Sequence, residues 1–580
     1  MRITIKTECK LMKCWNGWAA VATVAVLMAS PAWAERGSDG EVKILFWQAP
    51  SILNPYLSSG VKDTEAAYMV LEPLASYDEK GDLVPRLAVE VPTLDNGGIA
   101  KDLKSITWKL KPGIVWSDGT PLTADDVVFT GLYCMTPGGG CAKLANFTDV
   151  DTFEAVDPQA VKVSFKVAKP VPYGPFVSGE APILQKQQFK DCMGAKAAQC
   201  TAQNFAPIGT GPFKVAEFKA NDSIRFVAND KYRDAAKPAF ASIYLKGGGD
   251  PASAARAVLE TGEFDYAWNT QVEPEILERM VKAGKGETVV AFGNYLERMH
   301  LNFTNARSDA GDKRSVYDGG NNPHPVLKDA AMRRALALAI DRQLLVDTGY
   351  GTSGRVTCNV VPAPEIFAST NVDWCKTPDI EKANKILDEA GWVKGRDGIR
   401  VKNGVRASLL YQTSTNSVRQ ATQALIKQMW GQIGVETELR NLSGSVFFGA
   451  DPSSPDTSQK FFADIEMFAW TYPGTDPETN LAGAKCSDIP GPNNNWLGAN
   501  FSRYCNPAYD AVAAELGLTA GAAQRAPIIK KMNDMLIEDG VMIPLIYRGR
   551  MSVMSKKMTG HRMNAWDYEM WNVADWARKK

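Results

Sequence analysis

Beyond residue 34 the chain carries eight cysteines in four neighbouring couples: Cys134 with Cys141, Cys192 with Cys200, Cys358 with Cys375, and Cys486 with Cys505. The members of each couple stand 7, 8, 17 and 19 residues apart. An even number in an oxidising compartment predicts local disulfides, each closing one short loop, although spacing leaves the connectivity open. Loops this short cannot tie distant parts of 580 residues together. The fold must therefore rest on hydrophobic cores, for which an apolar content of 45% is ample. Zinc is the rival use of these thiols. No couple has a zinc knuckle's spacing and His300, His324 and His561 are scattered, so no metal site is expected.

The N-terminus supplies the compartment. Arg2, Lys6, Lys10 and Lys13 precede a short apolar run from Ala19 to Ala29, and Ala32-Trp33-Ala34 offers a small-x-small cleavage site. Residues 1–34 read as a cleaved signal peptide, too short in its apolar part to span a bilayer. Cys14 precedes that run, which argues against a lipoprotein anchor and for a periplasmic protein. The remainder holds 61 basic and 64 acidic side chains, a balance that excludes a nucleic-acid-binding face.

Local patterns indicate mixed α/β domains. Ile106, Trp108 and Leu110 alternate with polar residues as in a half-buried strand. The text "GIVWSDGTPLTADDVVFT", Gly113 to Thr130, then reads as two turns around Trp116 and a helix capped by Thr123 with Asp126 at the capping-box position. Asp125 and Asp126 are expected to be solvated first-turn acids. "VLKDAAMRRALALAIDRQLL" predicts one helix with Met332, Leu336, Ala339 and Ile340 on a single face. "IEKANKILDEAGW" predicts another, ending at Gly391, and "SVRQATQALIKQMWGQIGVETELR" a helix followed by a strand from Val435. The chain has no Gly-x-Ser-x-Gly elbow, His-Glu-x-x-His or Walker loop, and "GTGPFK" at Gly209 lacks the third glycine of a nucleotide turn. Neither catalysis nor a cofactor is expected.

Six motifs in order carry a resemblance. "GIVWSDGTPLTADDVVF", "NFAPIGTGPFKV" with the following "DKY", "AVLETGEFDYAW", "LKDAAMRRALALAIDR", "ILDEAGW" with "QIGVETEL", and "NFSRYCNPAYDAV" are similar to segments of the peptide/nickel (family 5) extracytoplasmic solute-binding proteins, the receptors of ABC importers. The resemblance implies a periplasmic-binding-protein type II fold, a two-lobed α/β clamshell with an extra domain inserted in the first lobe. On that template lobe I takes residues 35–80, 206–302 and 546–580, the insert 81–205, and lobe II 303–545. It also implies a monomer that closes on a small solute and is recognised by an ABC permease in the inner membrane.

The resemblance also implies a site. Ser58, Ser59 and Gly60 fall in a first-lobe loop that lends backbone hydrogen bonds to an extended peptide. Trp268 and Asn269 follow the Gly-x-x-Asp step and face the cleft. In "IEMFAWTYPGTDPET", Trp470 matches its place, but Pro473 stands where relatives carry the acid that holds a ligand ammonium. Asp476 is a possible replacement if Gly474 allows a bulge. Met467 stands where some oligopeptide binders carry arginine, and Arg419 lies near a carboxylate-capturing position of dipeptide binders. Trp470 and Tyr472 equally suit an oligosaccharide or opine-like sugar conjugate, which is the alternative solute. A secreted hydrolase is the alternative outside transport, and the missing nucleophile–base pair argues against it.

Overall fold

The computed structural model describes residues 35–147, 149–449, 451 and 453–580. The expected signal peptide, 1–34, lies outside them.

The strand Glu41–Phe46 lacks alternation because both of its faces are covered. Val42, Ile44 and Phe46 face one core, while Leu45 and Trp47 pack with residues of the helices Pro251–Leu259 and Pro274–Val281. It runs parallel to both neighbours at the centre of a seven-stranded sheet ordered 286–291, 550–555, 266–268, 41–46, 242–247, 223–228, 213–219. A second sheet of six strands is ordered 354–356, 542–548, 296–301, 465–470, 408–414, 436–442 and has its own core. Met467 is fully buried in that core, so the position compared with a ligand-binding arginine does not reach a solute.

The chain passes from the first sheet to the second between Ala291 and Leu296, and returns between Arg548 and Arg550. The sequence had placed these changes at 302 and 545, inside or beyond strands that belong to the second sheet. With only one to four residues between strands, no linker composition marks the crossings. They lie side by side: the Arg548 amide donates to the Tyr295 carbonyl at 2.9 Å.

The expected strand and helix of the insert occur at Ser105–Lys109 and Ala124–Met135, with Trp108 and Trp116 buried. Asp126 differs from expectation. It is buried, and its carboxylate accepts from the Thr123 amide at 3.0 Å, the Lys186 amide at 2.9 Å and the Trp116 indole at 3.3 Å. A short acid at this position joins turn, helix and neighbouring loop, so the Gly113–Thr130 stretch is a frame. Asp125 stays exposed beside Lys186. The helix predicted through Ile340 breaks into Ala330–Leu338 and Arg342–Gly349, because the Asp341 side chain caps the second by accepting from the Leu344 amide at 3.0 Å. Met332, Leu336, Ala339 and Ile340 are nevertheless all in the core.

All four cysteine couples form disulfides, with Cα separations of 5.2, 5.9, 5.8 and 4.5 Å in chain order. These lie within the ordinary range for the bond.

Candidate functional site

A cavity partly open to solvent lies between the two lobes and is lined from both. Its first-lobe wall includes Gln48, Ser59, Val61, Lys143, Glu180, Trp268 and Asn269. Its second-lobe wall includes Arg298, Arg419, Phe448, Gln459, Phe468, Trp470, Tyr472, Pro473 and Phe501.

The first-lobe loop is shaped by a buried ion pair. Lys62 Nζ lies 2.8 Å from Asp63, with both side chains fully buried, and Ser58 donates to Asp63 at 2.6 Å. Ser58 therefore supports the loop and does not face the cavity. Gly60 is occupied too: its amide donates to Ser58 Oγ at 3.0 Å and its carbonyl accepts from the Asp63 amide at 3.0 Å. Ser59 does line the cleft, and its hydroxyl accepts from Gln459 Nε2 of the opposite lobe. Trp268 packs against Phe46 with tilted rings, centroids 4.9 Å apart, and presents only a small part of its surface. Asn269 takes a left-handed backbone (φ 54°), and its amide oxygen accepts from Arg548 of the second lobe.

On the second lobe the strand Ile465–Trp470 delivers an aromatic wall. Trp470 meets Phe501 at 5.3 Å and Phe468 at 6.1 Å between ring centroids. Tyr472 lines the cavity while its hydroxyl donates to the Ala363 carbonyl at 3.0 Å. Gly474 is left-handed (φ 77°), and a Cβ there would stand 2.4 Å from the Tyr77 ring. The bend it permits leads Asp476 away from this cavity. Asp476 pairs with Arg525 and does not replace the acid missing at Pro473.

Arg419 reaches the cavity, but its charge is already matched. Its Nε donates to Glu297 Oε1 at 2.8 Å, and Arg548 also donates to Glu297 at 3.2 Å. Glu297 is fully buried. Lys143 is matched likewise by Glu180 at 3.3 Å, and Glu180 accepts from the Tyr568 hydroxyl at 2.6 Å. Sequence reasoning missed Arg298, Lys143 and Glu180. The only available sign was "LERMHL", 296–301, where three polar residues interrupt an otherwise apolar strand that proves wholly buried.

Burial disfavours the charged forms of Arg298 and His300. It lowers the Arg298 guanidinium to about 9, still protonated at neutral pH. Burial, and then the neighbouring Arg298 and Arg503 cations, push His300 well below its ordinary value, so its imidazole is neutral. A cleft of aromatic faces, buried polar groups and matched charges is equipped to hold a solute.

Known proteins match this geometry. The family described as bacterial extracellular solute-binding proteins, family 5 Middle, matches residues 82–489. Protein XP55 of Streptomyces lividans is 27% identical over 522 residues, covering 88% of this chain and 84% of that protein. The oligopeptide-binding protein AppA of Bacillus subtilis (strain 168) is 24% identical over 540 residues, covering 91% and 89%. The solved structure of Bacillus subtilis AppA in complex with a nonapeptide agrees with a TM-score of 0.78 at 21% identity, covering 94% of this chain and 100% of that one. The architecture is the two-lobed type II periplasmic-binding fold, and the chain belongs to the bacterial extracellular solute-binding proteins of family 5.

Proposed function

We propose that this protein is the receptor of an ABC importer, which captures a peptide-like solute between its lobes and presents it to a membrane permease. It works as a monomer in the periplasm once residues 1–34 are removed. The observation that carries this reading is the cleft between two separately cored lobes joined by two adjacent crossings. Such a joint lets the lobes close as rigid bodies, and the solute favours closure by the contacts it adds there. The peptide class is supported by the oligopeptide-binding relative, whose matching structure holds a nonapeptide.

The solute bears no ammonium near Pro473. Proline has neither carboxylate nor amide donor, and Asp476 is committed elsewhere. A buried ammonium there would cost several kcal/mol.

Native mass spectrometry of protein purified without denaturation should find one peptide-like solute per chain. Small-angle scattering should give a smaller radius for the saturated protein than for the stripped one. An unchanged radius at saturation, or release of a chemically altered product, overturns the reading.

A further inference from the structure

Of the charged side chains that line the cleft among the described residues, all but one have an ion-pair partner. Lys143 has Glu180 and Arg419 has Glu297. Arg298, only 4% exposed, has no carboxylate partner among the described residues. Its orientation is nevertheless fixed. Nε donates to His300 Nε2 at 3.2 Å, and the guanidinium carbon lies over Trp470, 5.2 Å from the ring centroid. Because Nε2 accepts, the neutral ring carries its proton on Nδ1, which faces Ser502 Oγ at 3.3 Å. The Ser502 hydroxyl donates onward to the Val541 carbonyl at 3.0 Å. The two terminal nitrogens of Arg298 have no protein acceptor among the described residues, and they are not sealed from the cavity that Arg298 lines.

We propose that Arg298 is the anion receptor of the cleft, taking a carboxylate of the solute on its two terminal nitrogens with Trp470 alongside. It thereby selects solutes that carry an acid group against this second-lobe wall. A buried cation without a partner is costly, and a two-pronged guanidinium–carboxylate pair offsets that cost with strong, directed hydrogen bonds. A neutral analogue of the same shape leaves the guanidinium desolvated and unmatched, so selectivity arises from the mismatch as much as from the pair. Lysine does not reproduce the geometry. The proposal rests on the solute-receptor reading but does not require the solute to be a peptide.

The test uses probes paired to differ in one charge: N-acetyl-tetraalanine against its C-terminal amide, and glucuronate against its methyl ester. Calorimetry at pH 7.5 compares the full mature chain with Arg298→Gln and Arg298→Lys. At least one acid should bind the unaltered protein roughly tenfold or more tightly than its neutral partner. That ratio should fall below about threefold in Arg298→Gln, where the neutral probes, relieved of the unmatched guanidinium, bind at least as tightly as to the unaltered protein. If Arg298→Gln does not fold, Arg298→Lys decides, because it keeps the charge and should still lose several-fold of the preference. Equal binding of acid and neutral probes, an undiminished ratio in the deciding variant, or no binding by either acid overturns the proposal. Binding by the sugar-acid pair alone sustains Arg298 and overturns the peptide reading instead.

Discussion

Both carboxylate oxygens of Asp476 are held by the guanidinium of Arg525, whose Nε and Nη2 each donate at 2.7 Å. Arg525 also donates to Glu478 at 2.8 Å and to the carbonyls of Leu516 and Thr519 at 2.8 and 2.7 Å. The pair anchors the segment after Pro473 to the helix Ala522–Glu538. Asp476 cannot serve a ligand without leaving a buried guanidinium short of a partner.

Asp476→Asn should therefore change solute affinity by less than about 1 kcal/mol and lower unfolding stability by roughly 1–3 kcal/mol, with Glu478 limiting the loss. Calorimetry with the co-purified solute and a urea titration check the two halves. Lost binding at unchanged stability would contradict the assignment.

Trp470→Ala should weaken binding by roughly 2 kcal/mol or more, through lost stacking and burial at the centre of the aromatic wall. The same titration measures it, and affinity within error of the unaltered protein would remove Trp470 from the site.

Asp488 links pH to stability. Burial raises its carboxyl to about 7, and the single amide of Ala499, donating at 3.3 Å, does not offset that. A carboxyl raised in the folded state contributes stability that is complete below its unfolded value of 3.8 and is lost as pH rises through about 7. Asp488→Asn should thus match the parent at pH 4 and exceed its stability by roughly 2–4 kcal/mol at pH 8. Parallel stability–pH curves for the two proteins would refute this.

Each disulfide closes a loop of 7 to 19 residues. Replacing both cysteines of one couple by serine should cost on the order of 2–3 kcal/mol. Peptide mapping without reductant should recover four links, every one within a couple. A link between couples, or a free thiol in the secreted protein, would contradict the arrangement.

Asn294 and Thr471 latch the first crossing to the second lobe. Thr471 Oγ1 lies 2.5 Å from Asn294 Oδ1, and Asn294 Nδ2 donates to the Tyr472 carbonyl and to the Gly474 carbonyl, the latter at 2.9 Å. Asn294→Ala unlatches the Thr471–Gly474 segment from the first crossing, leaving two buried backbone acceptors unsatisfied at a cost of about 1–3 kcal/mol. The thermal midpoint should drop accordingly, and an unchanged midpoint would show the latch to be idle.

The sequence by itself determined what local physics controls. Turn residues, caps and short loop closures act over a few positions, so the strand before Gly113, the helix after Thr123, the Gly391 terminus and the four cysteine couples were legible as text. The ordered motifs extended this to the family and its two-lobed fold. Only the tertiary structure decided which charges remain for a ligand. Arg419 looked available until Glu297, 122 residues away, proved to neutralise it; Asp476 looked movable until Arg525 claimed it from 49 residues away. Arg298, hidden in a buried strand, was left without a carboxylate partner among the described residues. A buried charge is settled by whatever stands within a few ångströms, and the packing of distant segments, not their order along the chain, sets that neighbourhood.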